Sequence, residues 1–211
     1  MAAIQVKPTR MELSNLKKRK KVAVRGHKMM KDKRDELVRR FIEYARKNQS
    51  LRAEVEEKLS RAMKSFVLAR ASMSNAEIEE ALLYPARAAE ITAGTQHVLS
   101  IQVPQIAIQA QEGFTYPYGF ATTSADLDLS VQLLAELLPL LVQLAEIEKT
   151  CGRLADEIEK TRRRVNALEY VMIPQFTEAI RRIQMKLEEN ERGNLTRLMK
   201  TKEMLQQQKE G

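Results

Sequence analysis

From Leu144 to Met172, apolar or small residues recur in alternating steps of three and four: Leu144, Ile147, Cys151, Leu154, Ile158, Thr161, Val165, Leu168 and Met172. A 3.5-residue period held over four heptads occurs in an α-helix only when a partner helix covers the stripe along its length. The rest of the chain must supply that partner or serve it.

The first third of the chain can supply it. Pro8-Thr9 opens a helix, with Glu12 at capping-box spacing from Thr9, and no further proline occurs before Met73. Gly26 is the lone glycine of that stretch. At 1.5 Å per residue, about 60 residues span roughly 90 Å. Leu16, Ala23, Met30, Leu37, Phe41, Leu51, Val55, Leu59, Ala62, Phe66 and Ala69 thread an apolar line along it. Before Leu37 the alternate seam positions are Lys20, His27 and Arg34, so this half is a poor zipper. It is expected to lie within a larger enclosure, its charges facing acidic groups or solvent.

The pattern breaks at Ser72 to Asn75, after which a short acidic helix from Asn75 is ended by Pro85. Ala89 to Thr92, then Val98, Ile101, Val103, Ile106 and Ile108, read as two strands of a β-hairpin, with Gly94-Thr95-Gln96 as the expected turn. Two strands alone are marginal in water, so the hairpin must pack on the helices or on a partner chain. Gln109 to Ser124 reads as a loop rich in Gly, Pro, Thr and Tyr. A last helix is expected from Ala125 to Gln206, with Pro139 and Pro174 bending or interrupting it and an eleven-type phase change at Pro174.

The expected fold is therefore mainly α, a long antiparallel two-helix coiled coil with a small central α+β head containing a short β-hairpin. Its parts are the N-terminal helix (8–73), the head (74–124), the C-terminal helix (125–206) and a frayed tail (207–211). Residues before Pro8 read as a short lead. The absence of Trp, 5 % aromatics and 30 % charged residues argue for an elongated molecule rather than a thick core.

Charge is distributed unevenly. The net value is +8, but Lys7 to Lys47 holds 16 Lys and Arg against 5 Asp and Glu, whereas Ser74 to Thr150 holds 2 against 10. Such polarity suggests two partners met by two regions. The run Lys17 to Lys21 covers every side of a helix and has no interleaved aromatic, unlike a nucleic-acid reader. Arg162, Arg163 and Arg164 project from the best part of the zipper, flanked by Glu157, Glu159 and Glu169.

No catalytic constellation, cofactor loop or metal-ligand spacing emerges. Gly26-His27-Lys28 lacks the rest of a phosphate loop, and His27 and His97 have no spaced Cys or carboxylate partners. Cys151, the single cysteine, reads as a small core side chain compatible with a reducing cytoplasm. The most apolar run, Leu127 to Ile147, carries Asp128, Glu136, Pro139 and Glu146, so a soluble chain with no direct membrane insertion is expected.

Several stretches together resemble the D subunit of the V-type (archaeal and bacterial A/V-type) rotary ATPases, end to end and in order. They are Pro8-Thr-Arg-Met-Glu-Leu, Arg25-Gly-His-Lys, Lys31-Asp-Lys-Arg-Asp-Glu-Leu, Glu159-Lys-Thr-Arg-Arg-Arg-Val-Asn-Ala-Leu-Glu-Tyr, Ile173-Pro and Lys186-Leu-Glu-Glu-Asn-Glu-Arg. The resemblance is less distinct over Ser74 to Ser124.

It implies a non-catalytic axle of the central stalk, with no cofactor of its own. Such an axle inserts into a hexamer of A and B subunits, binds the small F subunit of the stalk and sits on the funnel-shaped C subunit. It couples ATP hydrolysis or synthesis to H⁺ or Na⁺ movement, and lies in the cytoplasm at the periphery of the membrane. Under this reading Lys17, Lys18, Arg162, Arg163 and Arg164 are candidate contacts to the hexamer, and Ile91, Val98, Ile101 and Val103 are candidate contacts to F or C. No nucleic acid and no homo-oligomer are expected. The alternative reading is a self-contained coiled-coil scaffold or tether.

Overall fold

Helix α1 starts at its cap: Thr9 Oγ1 accepts the backbone N–H of Glu12 at 3.2 Å, and the helix runs Arg10–Ser72 without interruption. The computed structural model describes residues 7–85, 89–109, 116–121 and 123–210. Parts of the expected lead before Pro8 and of the loop expected over 109–124 fall outside those residues. Helix α2 (Asn75–Leu82) follows at once because Ser74 and Glu77 form a complete capping box. The Ser74 hydroxyl accepts the Glu77 N–H at 3.3 Å, and the Glu77 carboxylate accepts the Ser74 N–H at 2.8 Å.

The chain then forms an antiparallel hairpin of β1 (Glu90–Val98) and β2 (Ile101–Gln109), in register from Glu90 opposite Gln109 to Val98 opposite Ile101. The expected turn at Gly94-Thr95-Gln96 is wrong. The turn is Leu99-Ser100, whose φ angles of 48° and 66° are those of a two-residue loop that matches strand twist. Gly94 lies mid-strand opposite Gln105, where a Cβ would meet only an ordinary contact. Glycine is a misleading signal here because two residues with side chains adopt the left-handed conformation instead.

Helix α3 (Ala125–Ala167) begins behind Ser124, whose hydroxyl accepts the Leu127 N–H at 3.4 Å. Pro139 is accommodated within it, whereas Pro174 is not. The five residues before Ile173, Leu168–Met172, form a π turn, with the Ile173 N–H donating to the Leu168 carbonyl five residues back, and α4 runs Ile173–Glu210. Proline at 174 cannot donate to the carbonyl four residues earlier and crowds it, and widening the preceding turn relieves both problems. Backbone helix continues to Glu210. Together the long N-terminal helix, the long C-terminal helical segment and the hairpin between them form the expected mainly α fold.

Contacts divide the chain into two units, one holding the residues up to Asp35 with those from Glu159 onward, the other Glu36–Ile158. In the first, α1 runs antiparallel to the C-terminal segment: Arg10 Nη2 lies 2.6 Å from Glu191 Oε1, and His27 Nε2 lies 3.3 Å from Glu169 Oε2. Leu16, Ala179, Ile180 and Ile183 form its buried cluster, flanked by Leu13, Phe176 and Leu187. In the second, Ala69, Ala81 and Leu127 join α1, α2 and α3, packed about by Phe66, Met73, Tyr118 and Val131. There the Ser130 hydroxyl donates to the Ala62 carbonyl at 3.1 Å, so α1 and α3 are also antiparallel.

Burial follows the seam as far as Leu168. Thr150, Leu154, Thr161 and Val165 are buried, while Leu144, Ile147, Cys151, Ile158 and Leu168 are half-buried. Burying a Leu or Val side chain contributes about 1.5–3 kcal/mol, so these positions dominate the pairing. Met172 is not the next step, since it is 42 % exposed. The π turn inserts one residue, and the buried line resumes at Ile173, Phe176, Ile180 and Ile183. The eleven-type step expected at Pro174 is in fact this single five-residue step from Leu168 to Ile173.

Candidate functional site

The first unit presents a strongly basic surface. It carries 24 Lys and Arg against 11 Asp and Glu, while the second carries 12 against 17. Thr161 and Val165 face the seam, so the three arginines between them fan around the outer side of α3 and are all exposed. Arg163 is paired one turn back with Glu159. Among the described residues, Arg162, Arg164, Lys17 and Lys18 make no ion pair, and Lys17 and Lys18 are likewise exposed. This leaves solvated cations at two separate levels of the unit, Lys17 and Lys18 beside Leu16 on α1 and Arg162 and Arg164 on α3, and their field favours acidic groups.

Two of the polar residues on the weak half of the α1 seam are half-buried and paired. His27 reaches Glu169, which the π turn carries, and the Arg34 guanidinium lies 2.8 Å from Asp35. The His27–Glu169 pair is invisible to sequence reasoning because its partners are 142 residues apart and Glu169 sits close to the arginines along the chain.

In the second unit the four candidate head contacts divide. Ile91 is 54 % exposed, Val98 and Ile101 are half-buried, and Val103 is 1 % exposed. Val103 is therefore buried within the unit, since alternation in β2 turns it inward. The hairpin stands with β2 toward α3, because the Ile106 N–H donates to Glu146 Oε2 at 3.1 Å, and β1 is outermost.

Further exposed apolar side chains lie outside the candidate contacts. Met63, Val67 and Leu68 on α1 line an open concavity with Ser60 and Lys64, and Leu129, Leu134, Leu138 and Leu141 on α3 are exposed. One 18-residue window of the helical run from Ala125 is long and apolar enough to cross a membrane by composition alone, and 17 % of it is buried. The signal is visible as leucine on all sides of α3, since a helix apolar all round is normally covered on all sides.

Burial first, and the Glu148 charge second, push the Cys151 thiol up, so it stays protonated. Among the described residues no three His, Cys, Asp or Glu side chains converge as a metal site. Burial, followed by the facing Asp128 carboxylate, raises the Tyr118 phenol well above its ordinary value. Its hydroxyl and Asp128 Oδ1 nevertheless stop short of hydrogen-bonding geometry.

The family model of the ATP synthase D subunit matches residues 12–203. The chain belongs to this family. Similar proteins include the V-type ATP synthase D subunit of Clostridium novyi, 52 % identical over 214 residues, spanning 100 % of this chain and 99 % of that protein. That of Acetivibrio thermocellus is 53 % identical over 211 residues, spanning 99 % and 95 %. That of Thermoanaerobacter sp. is 52 % identical over 206 residues, spanning 97 % and 99 %. As a member of this family the chain is a subunit of a V-type ATP synthase complex.

Proposed function

We propose that this chain is the central-stalk axle of a V-type ATP synthase or ATPase. It is a non-catalytic component that couples ATP hydrolysis or synthesis in a hexamer of A and B subunits to H⁺ or Na⁺ movement through a membrane ring. The observation that carries this reading is membership of the family of ATP synthase D subunits over residues 12–203. In this proposal the A and B subunits surround the first unit, and the second meets the small F subunit and the funnel-shaped C subunit. Protein partners, not lipid, cover its apolar faces, so the chain remains at the cytoplasmic periphery of the membrane.

The chemistry of the first unit supports the reading. An axle passing through equivalent orientations cannot be held by deep apolar fit to any one of them; exposed ionic contacts, each contributing about 1 kcal/mol or less, can break and re-form. Lys17, Lys18, Arg162 and Arg164 are exposed cations of that kind; the same unit buries Leu16, Ile180 and Ile183 but leaves Met11, Val22, Met29, Leu195 and Leu198 exposed.

The test is reconstitution with purified A, B and F subunits, following stoichiometry and the rotation of a bead attached to the hairpin. One copy per hexamer with ATP-driven stepping is expected. A homodimer that ignores the hexamer would replace the axle with a free tether. If Arg162→Ala and Arg164→Ala together leave assembly and coupled ATPase activity unchanged, those arginines are not hexamer contacts.

A further inference from the structure

The two long edges of the hairpin differ in what they offer. In an antiparallel pair, alternate residues point their backbone N–H and C=O groups either at the partner strand or away from it. Three observations fix which is which. Ile106 donates its N–H to Glu146, away from β1, so the even-numbered residues of β2 face outward. Pro104 occupies another of these outward positions and has no N–H to lose. The two-residue turn closes on Val98 opposite Ile101, the inward-bonding pair that such a loop requires. On β1 the outward set is then Ile91, Ala93, Thr95 and His97.

β2's outer edge is thus closed, by Pro104 at one position and by Glu146 at another. β1's outer edge is open. All its residues but Val98 are exposed, and no backbone hydrogen bond beyond the hairpin ladder engages it among the described residues. Exposed edges are usually protected by lysine, proline, a bulge or a covering element, and among the described residues β1 has none of these. Side-chain ligands cannot satisfy four N–H and C=O pairs in a row at two-residue spacing; an extended polypeptide can.

We propose that the outer edge of β1 is a docking site for an extended strand of a partner protein, completing a three-stranded sheet through Ile91, Ala93, Thr95 and His97. This rests on the axle reading, which also restricts the occupant. A ladder of backbone hydrogen bonds has one register and cannot slide, so the added strand belongs to a protein that turns together with this chain and not to the surrounding hexamer. A third strand also relieves the marginal stability of a two-stranded sheet.

Hydrogen exchange tests it, with the isolated chain compared against the chain in the reconstituted complex and the amides resolved singly by mass spectrometry. In the isolated chain the amides of Ile91, Ala93, Thr95 and His97 exchange fast, while those of Thr92, Gly94 and Gln96 are protected by the ladder. Assembly should slow the first set at least about tenfold and leave the second nearly unchanged. Ala93→Pro removes one outward N–H without touching the ladder to β2. Retained protection at Thr92 and Gly94 shows that the hairpin is intact in this variant, and protection at Ile91 and Thr95 should then be lost on assembly. Thr95→Lys, which puts a charge on the edge, should do the same.

A complex that forms normally while the outward amides exchange as in the free chain overturns the docking edge and leaves the axle standing. The docking edge falls in the same way if Ala93→Pro and Thr95→Lys assemble with undiminished protection, because the edge is then covered without being paired. Protection already present in the isolated chain, together with a doubled mass, makes the occupant a second copy and overturns the proposal. Failure of the chain to enter the complex rejects both readings.

Discussion

His27 Nε2 lies 3.3 Å from Glu169 Oε2, joining the polar half of α1 to the π turn that interrupts the C-terminal helical segment. Glu169 is half-exposed, so solvent screens the pair. A double-mutant cycle of His27→Ala and Glu169→Gln, read by thermal unfolding, should give a coupling of about 0.5 kcal/mol. A coupling indistinguishable from zero would make the contact incidental.

The π turn makes insertions and deletions unequal. One added alanine after Met172 turns Phe176, Ala179, Ile180 and Ile183 by about 100° and carries them off the seam. That variant should lose cooperative unfolding of the first unit. Deleting Met172 while changing Pro174→Ala removes both the surplus residue and its cause, and its melting temperature should match the parent's to within a few degrees. Equal damage from both changes would refute this account of the turn.

Two positions on the sequence stripe should also part company. Leu154 is fully buried, so Leu154→Ala should cost about 2–5 kcal/mol in denaturant unfolding, whereas Met172→Ala should cost less than about 1 kcal/mol. Between them, Thr161 is 1 % exposed and its hydroxyl has no partner. Thr161→Val keeps the shape and removes the unsatisfied group, and should raise stability by about 1 kcal/mol.

The capping box at α2 gives a pH dependence of definite sign. The Ser74 N–H first, and its hydroxyl second, hold the Glu77 carboxyl below its ordinary value. A carboxyl depressed in the folded state adds stability above its unfolded pKa, near 4.3, and that contribution disappears as pH falls through the lower folded value. The difference in stability between the parent chain and Glu77→Gln should therefore be larger at pH 6 than at pH 3. A difference that is flat or grows on acidification would be the wrong sign.

The helical frame can be read from the sequence because its causes are local and repeated. The period from Leu144 to Leu168 demands a covering helix, and Thr9 with Glu12 marks where α1 begins. What resists reading depends on a single residue or on distant ones. Pro174 announces a disturbance, but whether it bends the helix, breaks it or widens one turn depends on where Ile180 and Ile183 must point. Glycine is the cheapest residue at positive φ, which favours a turn at Gly94, yet the strand register set by Val98 and Ile101 puts that strain on Leu99 and Ser100. Of the candidate contacts, Lys17, Lys18, Arg162, Arg163 and Arg164 are exposed as their charge leads one to expect, whereas the burial of Val103 is not legible because strand alternation cannot say which face will be covered.

The hydrogen bond from Ser130 to the Ala62 carbonyl acts on α3 as a key acts in a keyway. Apolar side chains between two helices resist separation but allow one helix to roll on the other as rotamers adjust. A buried hydroxyl aimed at one carbonyl does not, since rolling leaves a polar group unpaired at a cost of about 1–3 kcal/mol. At the level of Ala62 this polar pin resists the rolling of α3 on α1.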